Sequence, residues 1–267
     1  LKLELKHALV VVSGKGGTGK TFVSANLGYL LAEAGNAVVL VDGDLLFACL
    51  SRLFDITDVE VDLVRIVSNG IPIWRAIYAT RVHNNLGIIP VRPFKHRYRK
   101  FRFKPLVRMF KSISDKLDYV LIDMGQGAWE IMVDAMESFK EYLIVVESDV
   151  FWGLDAAVYV KGTGDEVKAK PAGFILNDVE NTGILKPEVI KSFERILEIP
   201  FLGEIPHDPA VKDSINRLEI LAKTKPKSPA SIALRKIALK IMGFEIPEKQ
   251  KKKTGFISKI FESKGEP

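Results

Sequence analysis

Nine consecutive residues, Ser13-Gly14-Lys15-Gly16-Gly17-Thr18-Gly19-Lys20-Thr21, place four glycines around two lysines and two threonines. From Gly14 to Thr21 they follow the spacing G-x-x-x-x-G-K-[ST]. Glycines let a backbone wrap close to phosphate oxygens, so that successive N–H groups point inward. A helix starting directly behind them adds the positive partial charge of its N-terminus. Lys20 would then reach the β- and γ-phosphates of a nucleotide, and the Thr21 hydroxyl would ligate Mg²⁺. A glycine-rich turn that merely joins a strand to a helix is the plain alternative, and motif and context together argue against it. By its position alone, Lys15 reads as a solvated loop lysine.

Three carboxylates stand where metal and water chemistry would need them. Asp42 and Asp44 close one apolar run, and Asp123 closes another, Tyr119-Val120-Leu121-Ile122-Asp123. In open parallel sheets the C-terminal ends of the strands face the ligand. Asp123 has the Walker B layout and would hold the Mg²⁺ shell through water. Each acid also has a plainer reading, as a strand-end cap or a surface charge.

The elements needed to position these groups are legible. Ala8–Ser13 is a short apolar, β-branched run that predicts a buried strand. Lys20–Glu33 carries apolar residues at helical spacing, and Gly35 closes it. Strands are predicted at Ala37–Val41, Leu86–Val91, Tyr119–Ile122, Tyr142–Val146, Ala172–Leu176 and Phe201–Ile205. Helices are predicted near Asp62–Ser68, at Leu106–Lys116, between the 142 and 172 strands, at Pro187–Leu197 and at Ser228–Met242. Strands alternate with helices, and nearly every strand is a continuous apolar run. That pattern predicts an α/β doubly wound, mainly parallel sheet with helices on both faces.

The chain has 267 residues, 47% hydrophobic and 27% charged, with a net charge of +6. This composition is globular and large enough for a sizeable core. Its one cysteine, Cys49, excludes an intramolecular disulfide framework and a Cys-x-x-Cys metal site built by one chain. No apolar run approaches the roughly 18 residues that span a bilayer, and the opening segment lacks a signal-peptide layout. The expectation is a cytoplasmic protein. Only two glutamines occur, Gln126 and Gln250, a weak sign of a heat-adapted source. The four histidines fall in no ligand spacing.

The charge is uneven. Arg92–Lys111 holds nine Lys or Arg and no acid, and without it the rest of the chain would carry −3. Phe94, Tyr98, Phe101 and Phe103 interleave with those charges. The stretch could suit single-stranded nucleic acid or a membrane, or be a solvated face, and part of it could start a helix with Phe103, Leu106, Val107 and Phe110 packed inward. The segment from Pro247 to Pro267 holds six Lys and three Glu. Within it Phe256, Ile257, Ile260 and Phe261 fall on one helical face, with lysines around the other. Such a helix can lie in a membrane interface. Burying each Phe or Ile is worth roughly 1.5–3 kcal/mol, and each nearby Lys adds about 1 kcal/mol on an anionic surface. One copy is marginal, and two linked copies reinforce each other. A frayed tail, or a helix docked on its own body, is the alternative. The predicted organisation is thus a body over 1–246 and a basic tail over 247–267.

Gly14-Lys15-Gly16-Gly17-Thr18-Gly19-Lys20-Thr21 resembles the deviant phosphate loop of the MinD/ParA family of ATPases, and the chain is MinD-like in particular. The resemblance covers about Leu9 to Phe244 and is weakest between Asp55 and Lys116. It implies a P-loop fold and slow hydrolysis of Mg-ATP in an ATP-dependent homodimer. Lys15 would reach the partner's nucleotide in trans, as an arginine finger does. Val41-Asp42-Gly43-Asp44 resembles the Asp-x-Asp of the family's first switch, which gives Asp44 the attacking water and Asp42 a supporting role. Gly173-Phe174-Ile175-Leu176-Asn177 resembles the strand whose final asparagine bonds adenine, and Ile199–Arg217 resembles the stretch after the last strand, with Pro206 beside the base. The tail resembles the family's membrane-targeting helix. The resemblance also implies an anionic membrane surface as partner, peripheral location at the inner face of the membrane, a protein regulator, and cell-division-site or cargo positioning.

Two regions depart from the family pattern. Leu46, Phe47 and Cys49 occupy the place of Leu-Gly and a following asparagine, and Met124-Gly125-Gln126-Gly127 replaces Thr/Ser-Pro-Ala-Gly. Both switches are altered, so hydrolysis or its control is open. Rival readings are a ParA-like DNA partition ATPase and a non-hydrolysing nucleotide-binding scaffold. An iron–sulfur carrier ATPase would need paired cysteines.

Overall fold

The computed structural model describes residues 7–93, 100–126, 129–147, 150–179 and 187–245. Its centre is an eight-stranded sheet. In chain order the strands are β1 (His7–Val12), β2 (Val38–Asp42), β3 (Tyr78–Ala79), β4 (Leu86–Ile89), β5 (Tyr119–Asp123), β6 (Glu141–Glu147), β7 (Lys170–Val179) and β8 (Phe201–Pro206). Across the sheet they run β3-β4-β2-β5-β1-β6-β7-β8. All neighbours are parallel except the edge pair β3–β4.

The register follows from burial on two faces. Val10 and Val12 of β1 point into one core and Leu9 and Val11 into the other, as the period of two requires. The first core is closed by α3 (Leu63–Asn69), α4 (Lys104–Lys111), α5 (Trp129–Phe139), α6 (Val150–Glu166) and α7 (Pro187–Leu197). The second is closed by α1 (Lys20–Glu33), α2 (Cys49–Leu53), α9 (Leu221–Thr224) and α10 (Pro229–Ile241), with α8 (Pro209–Asn216) beside them. A strand buried on both faces needs apolar residues at every position, which is why the strands read as unbroken runs. Each fully buried Leu, Ile, Val or Phe side chain stabilises this arrangement by about 1.5–3 kcal/mol.

Three differences from the sequence reading have local causes. The helix expected at Leu106–Lys116 starts at Lys104, with Pro105 in its first turn, and stops at Lys111. Ser114–Lys116 forms a separate 3₁₀ turn. The antiparallel β3 spans two residues, too few to generate a period. The third concerns the basic stretch. Phe101 and Phe103 are buried, edge to face at 5.0 Å, and Phe103 meets Phe139 of α5 at 6.2 Å. Leu106 and Phe110 are buried beside them and Val107 is half-buried, as the inward-packing alternative expected. Both described aromatics are thereby taken from any nucleic-acid stacking platform. Arg92 and Arg102 lie 3.6 Å from Asp62 and 3.8 Å from Asp134, which offsets part of the charge. Phe94 and Tyr98, and the tail with Phe256, Ile257, Ile260 and Phe261, lie outside the described residues.

Candidate functional site

The site forms where β1, β5 and β2 end side by side. Register pairs Val11 with Asp123, and Asp123 with Asp42. The chain leaves β1 at Ser13 and turns through Gly17 (φ 78°) and Gly19 (φ 84°) before entering α1 at Lys20. That left-handed backbone is strained for any residue with a Cβ.

Lys20 is buried, and its Nζ donates to Ser13 Oγ at 2.7 Å. Ser13 Oγ in turn donates to the Lys15 carbonyl at 2.6 Å. Burial lowers the Lys20 pKa, against the pull of Asp123 and Asp44. Asp123 accepts from the Thr21 hydroxyl at 2.7 Å and from the Ser24 hydroxyl at 3.0 Å. Its burial pushes its pKa up to about 6, although both hydroxyls and Lys20 favour the charged form. Asp42 accepts from the Ser51 amide at 2.9 Å and the Ser51 hydroxyl at 2.6 Å, and burial pushes it up to about 7. Asp44 Oδ1 accepts from the Leu46 and Phe47 amides at 3.2 and 3.1 Å.

Further along the edge, Asn177 Nδ2 donates to the Thr18 carbonyl at 2.9 Å. A Cβ on Gly19 would stand 2.3 Å from that nitrogen, so the asparagine lies directly against the loop. Pro206 ends β8 opposite Val179 of β7. His207 beside it lies 2.7 Å from Asp178. Lys15 is ion-paired with Glu147, the last residue of β6.

One atom tests whether a ligand fits. The Thr18 hydroxyl oxygen is buried and meets no hydrogen-bond partner among the described residues. A buried hydroxyl without a partner is costly, and a phosphate oxygen held in the loop would relieve it. Thr21 and Asp123 are the oxygen ligands at hand for Mg²⁺. The described residues hold no cluster of three His, Cys, Asp or Glu able to bind a metal. Phosphate and water oxygens would therefore complete the shell, as magnesium prefers.

The family model for the CobQ/CobB/MinD/ParA nucleotide binding domain matches residues 9–221. The chain belongs to this family. It is 31% identical over 257 residues to an uncharacterized ATP-binding protein of Methanocaldococcus jannaschii, covering 95% of this chain and 94% of that one. The cell division ATPase MinD of Pyrococcus furiosus superposes with a TM-score of 0.79 at 32% identity, over 90% of this chain and 99% of that one. The septum site-determining protein MinD of Pyrococcus horikoshii, solved with Mg-ADP, gives 0.77 at 31% identity, over 88% and 95%. The MinD P-loop fold expected from the sequence is thus the fold found.

Of the residues singled out in the sequence, Gly14, Lys15, Gly16, Gly17, Thr18, Gly19, Lys20, Thr21, Asp42, Asp44, Asp123, Asn177 and Pro206 all gather along this MinD-like sheet edge. Three residues went unnoticed. Ser24 lies one turn after Thr21 on α1, a spacing that could have flagged it. Ser51 and Glu147 carried no signal, because only the fold brings them to Asp42 and Lys15.

Proposed function

We propose that the chain is a slow ATPase that binds Mg-ATP, dimerises around it and changes its membrane or partner association with nucleotide state. The observation that carries this reading is the set Lys20–Ser13, Thr21–Asp123 and Ser24–Asp123, which gathers a buried ammonium, hydroxyl groups and a carboxylate at the end of the glycine-rich loop. Lys20 is an ammonium whose burial disfavours its charge, and a triphosphate supplies the missing countercharge. Thr21 and Asp123 hold Mg²⁺, which neutralises charge on the phosphates. Asp44 orients the attacking water from the first switch, with Asp42 fixing that switch through Ser51. Asn177 and Pro206 flank adenine. Lys15 serves a second copy's nucleotide in trans, and it must first leave Glu147. The body over 1–246 carries the ATPase. The tail over 247–267 brings Phe256, Ile257, Ile260 and Phe261 to the inner face of an anionic membrane when two copies act together. Cell-division-site or cargo positioning and a protein regulator belong to the same reading, with support from the relatives named for cell division.

The test is phosphate release with and without anionic liposomes, on wild type and Lys20→Ala. Lys20→Ala is expected to abolish turnover and weaken ATP binding at least about tenfold. Turnover indifferent to Lys20→Ala would refute the mechanism. ATP binding without turnover in the wild type would favour a nucleotide-binding scaffold.

A further inference from the structure

Gly125 and Gln126, in the altered second switch, lie against the first switch and the phosphate loop. A Cβ built on Gly125 would stand 2.4 Å from Asp44 Oδ1 and 2.5 Å from its Cγ. Any side chain at 125 would push the carboxylate of the first switch away. Gly16, inside the phosphate loop, faces the next residue. Its Cβ would fall 1.3 Å from Gln126 Oε1, 2.3 Å from Cδ and 2.8 Å from Nε2. The carboxamide of Gln126 therefore occupies the space that a side chain at 16 would fill. Two adjacent residues touch the first switch and the phosphate loop at once.

A carboxamide presents an acceptor and two donors and does not titrate. Against a phosphate loop it can accept from a water molecule through Oε1 and donate through Nε2 to the phosphoryl group being transferred. Its chain neighbour Gly125 packs on the Asp44 carboxylate, so the backbone at 125–126 runs between that carboxylate and the phosphate loop. Phosphoryl transfer is governed by positioning and charge stabilisation, and orienting the attacking water is a task a glutamine can perform.

We propose that Gln126 is a catalytic residue of ATP hydrolysis, orienting the attacking water together with Asp44. This rests on the ATPase reading above. In the step, the water oxygen bonds to the γ-phosphorus as the bond from that phosphorus to the β–γ bridging oxygen breaks. ADP leaves with the bonding electron pair, and a water proton ends on the released phosphate. Gln126 gains and loses no proton. The competing account makes its carboxamide a space filler that the nucleotide displaces.

The experiment is steady-state phosphate release with kcat and KM resolved, on the full chain as wild type, Gln126→Ala, Gln126→Glu and Lys20→Ala. Affinities for ADP alone and for ADP with aluminium fluoride accompany it. Gln126 is exposed, so both variants should fold. Gln126→Ala is expected to lower kcat about 100- to 1,000-fold, the scale for one lost transition-state hydrogen bond. Its KM and ADP affinity should stay near wild type, while the gain in affinity from aluminium fluoride shrinks by a similar factor. Gln126→Glu keeps size and acceptor but loses the donor and adds charge beside Asp44, so its kcat should be as low. A kcat of Gln126→Ala within about twofold of an active, Lys20-dependent wild type overturns this proposal alone, and so does a change confined to KM. Absence of Lys20-dependent turnover in the wild type overturns the ATPase reading and this proposal together.

Discussion

Asp42, Asp123 and Lys20 lie buried at one sheet edge, where water cannot solvate their charges. Desolvation raises both acids and lowers the lysine. The hydroxyls of Thr21, Ser24 and Ser51 offset part of that cost, as satisfied buried polar groups must. Cys49, at the start of α2, feels the same acids. Although Cys49 is exposed, partial desolvation of its thiol and then the adjacent Asp44 push it up to about 11. The thiol therefore stays protonated at neutral pH, and a protonated thiol is a poor nucleophile. Because this is the chain's one cysteine, alkylation reports on it alone. At pH 8 the native chain should alkylate on the order of 100-fold more slowly than the urea-unfolded chain, from a pKa two units higher. The native rate should climb about tenfold per pH unit. Equal rates in the two states would contradict this environment.

At the scale of elements, α4 is the informative case. Its sequence advertises charge, yet its role is to cap a core. Phe103 is fully buried against Phe101 and Phe139, and its amide donates to Asp134 at 2.6 Å. Phe103→Ala should destabilise the fold by about 3–5 kcal/mol, the range for a large-to-small core change. Removing a solvated basic residue such as Lys111 should cost within about 0.5 kcal/mol. Urea denaturation of both variants checks the contrast. A Phe103→Ala variant as stable as wild type would return the aromatic to the surface.

For the whole molecule, the question is how one nucleotide site governs association. No helix among the described residues is long and apolar enough to cross a membrane. The proposed function assigns membrane contact to the tail. Deleting 247–267 should abolish co-sedimentation with anionic liposomes in ATP while leaving liposome-free ATPase activity within about twofold, since the tail lies outside the proposed catalytic body. Sedimentation unchanged by the deletion would move membrane contact elsewhere. Salt-sensitive retention on DNA without liposome binding would favour the ParA-like reading instead.

The phosphate loop was legible because its parts are covalent neighbours: the residues that wrap a phosphate are contiguous, and flanking runs of opposite period announce a strand before and a helix after. The parallel sheet was legible for a related reason, since burial on both faces leaves continuous apolar runs. Asp42 and Asp123 were legible as strand ends, but that they stand adjacent came from strand register. What tertiary structure alone decided are the meetings between distant segments: Ser24 with Asp123, Lys15 with Glu147, Gln126 over Gly16, and the burial of Phe101 and Phe103. Periodicity and spacing describe one segment at a time, whereas these contacts depend on how separate segments cross the sheet edge, and packing fixes that only once the whole core has closed.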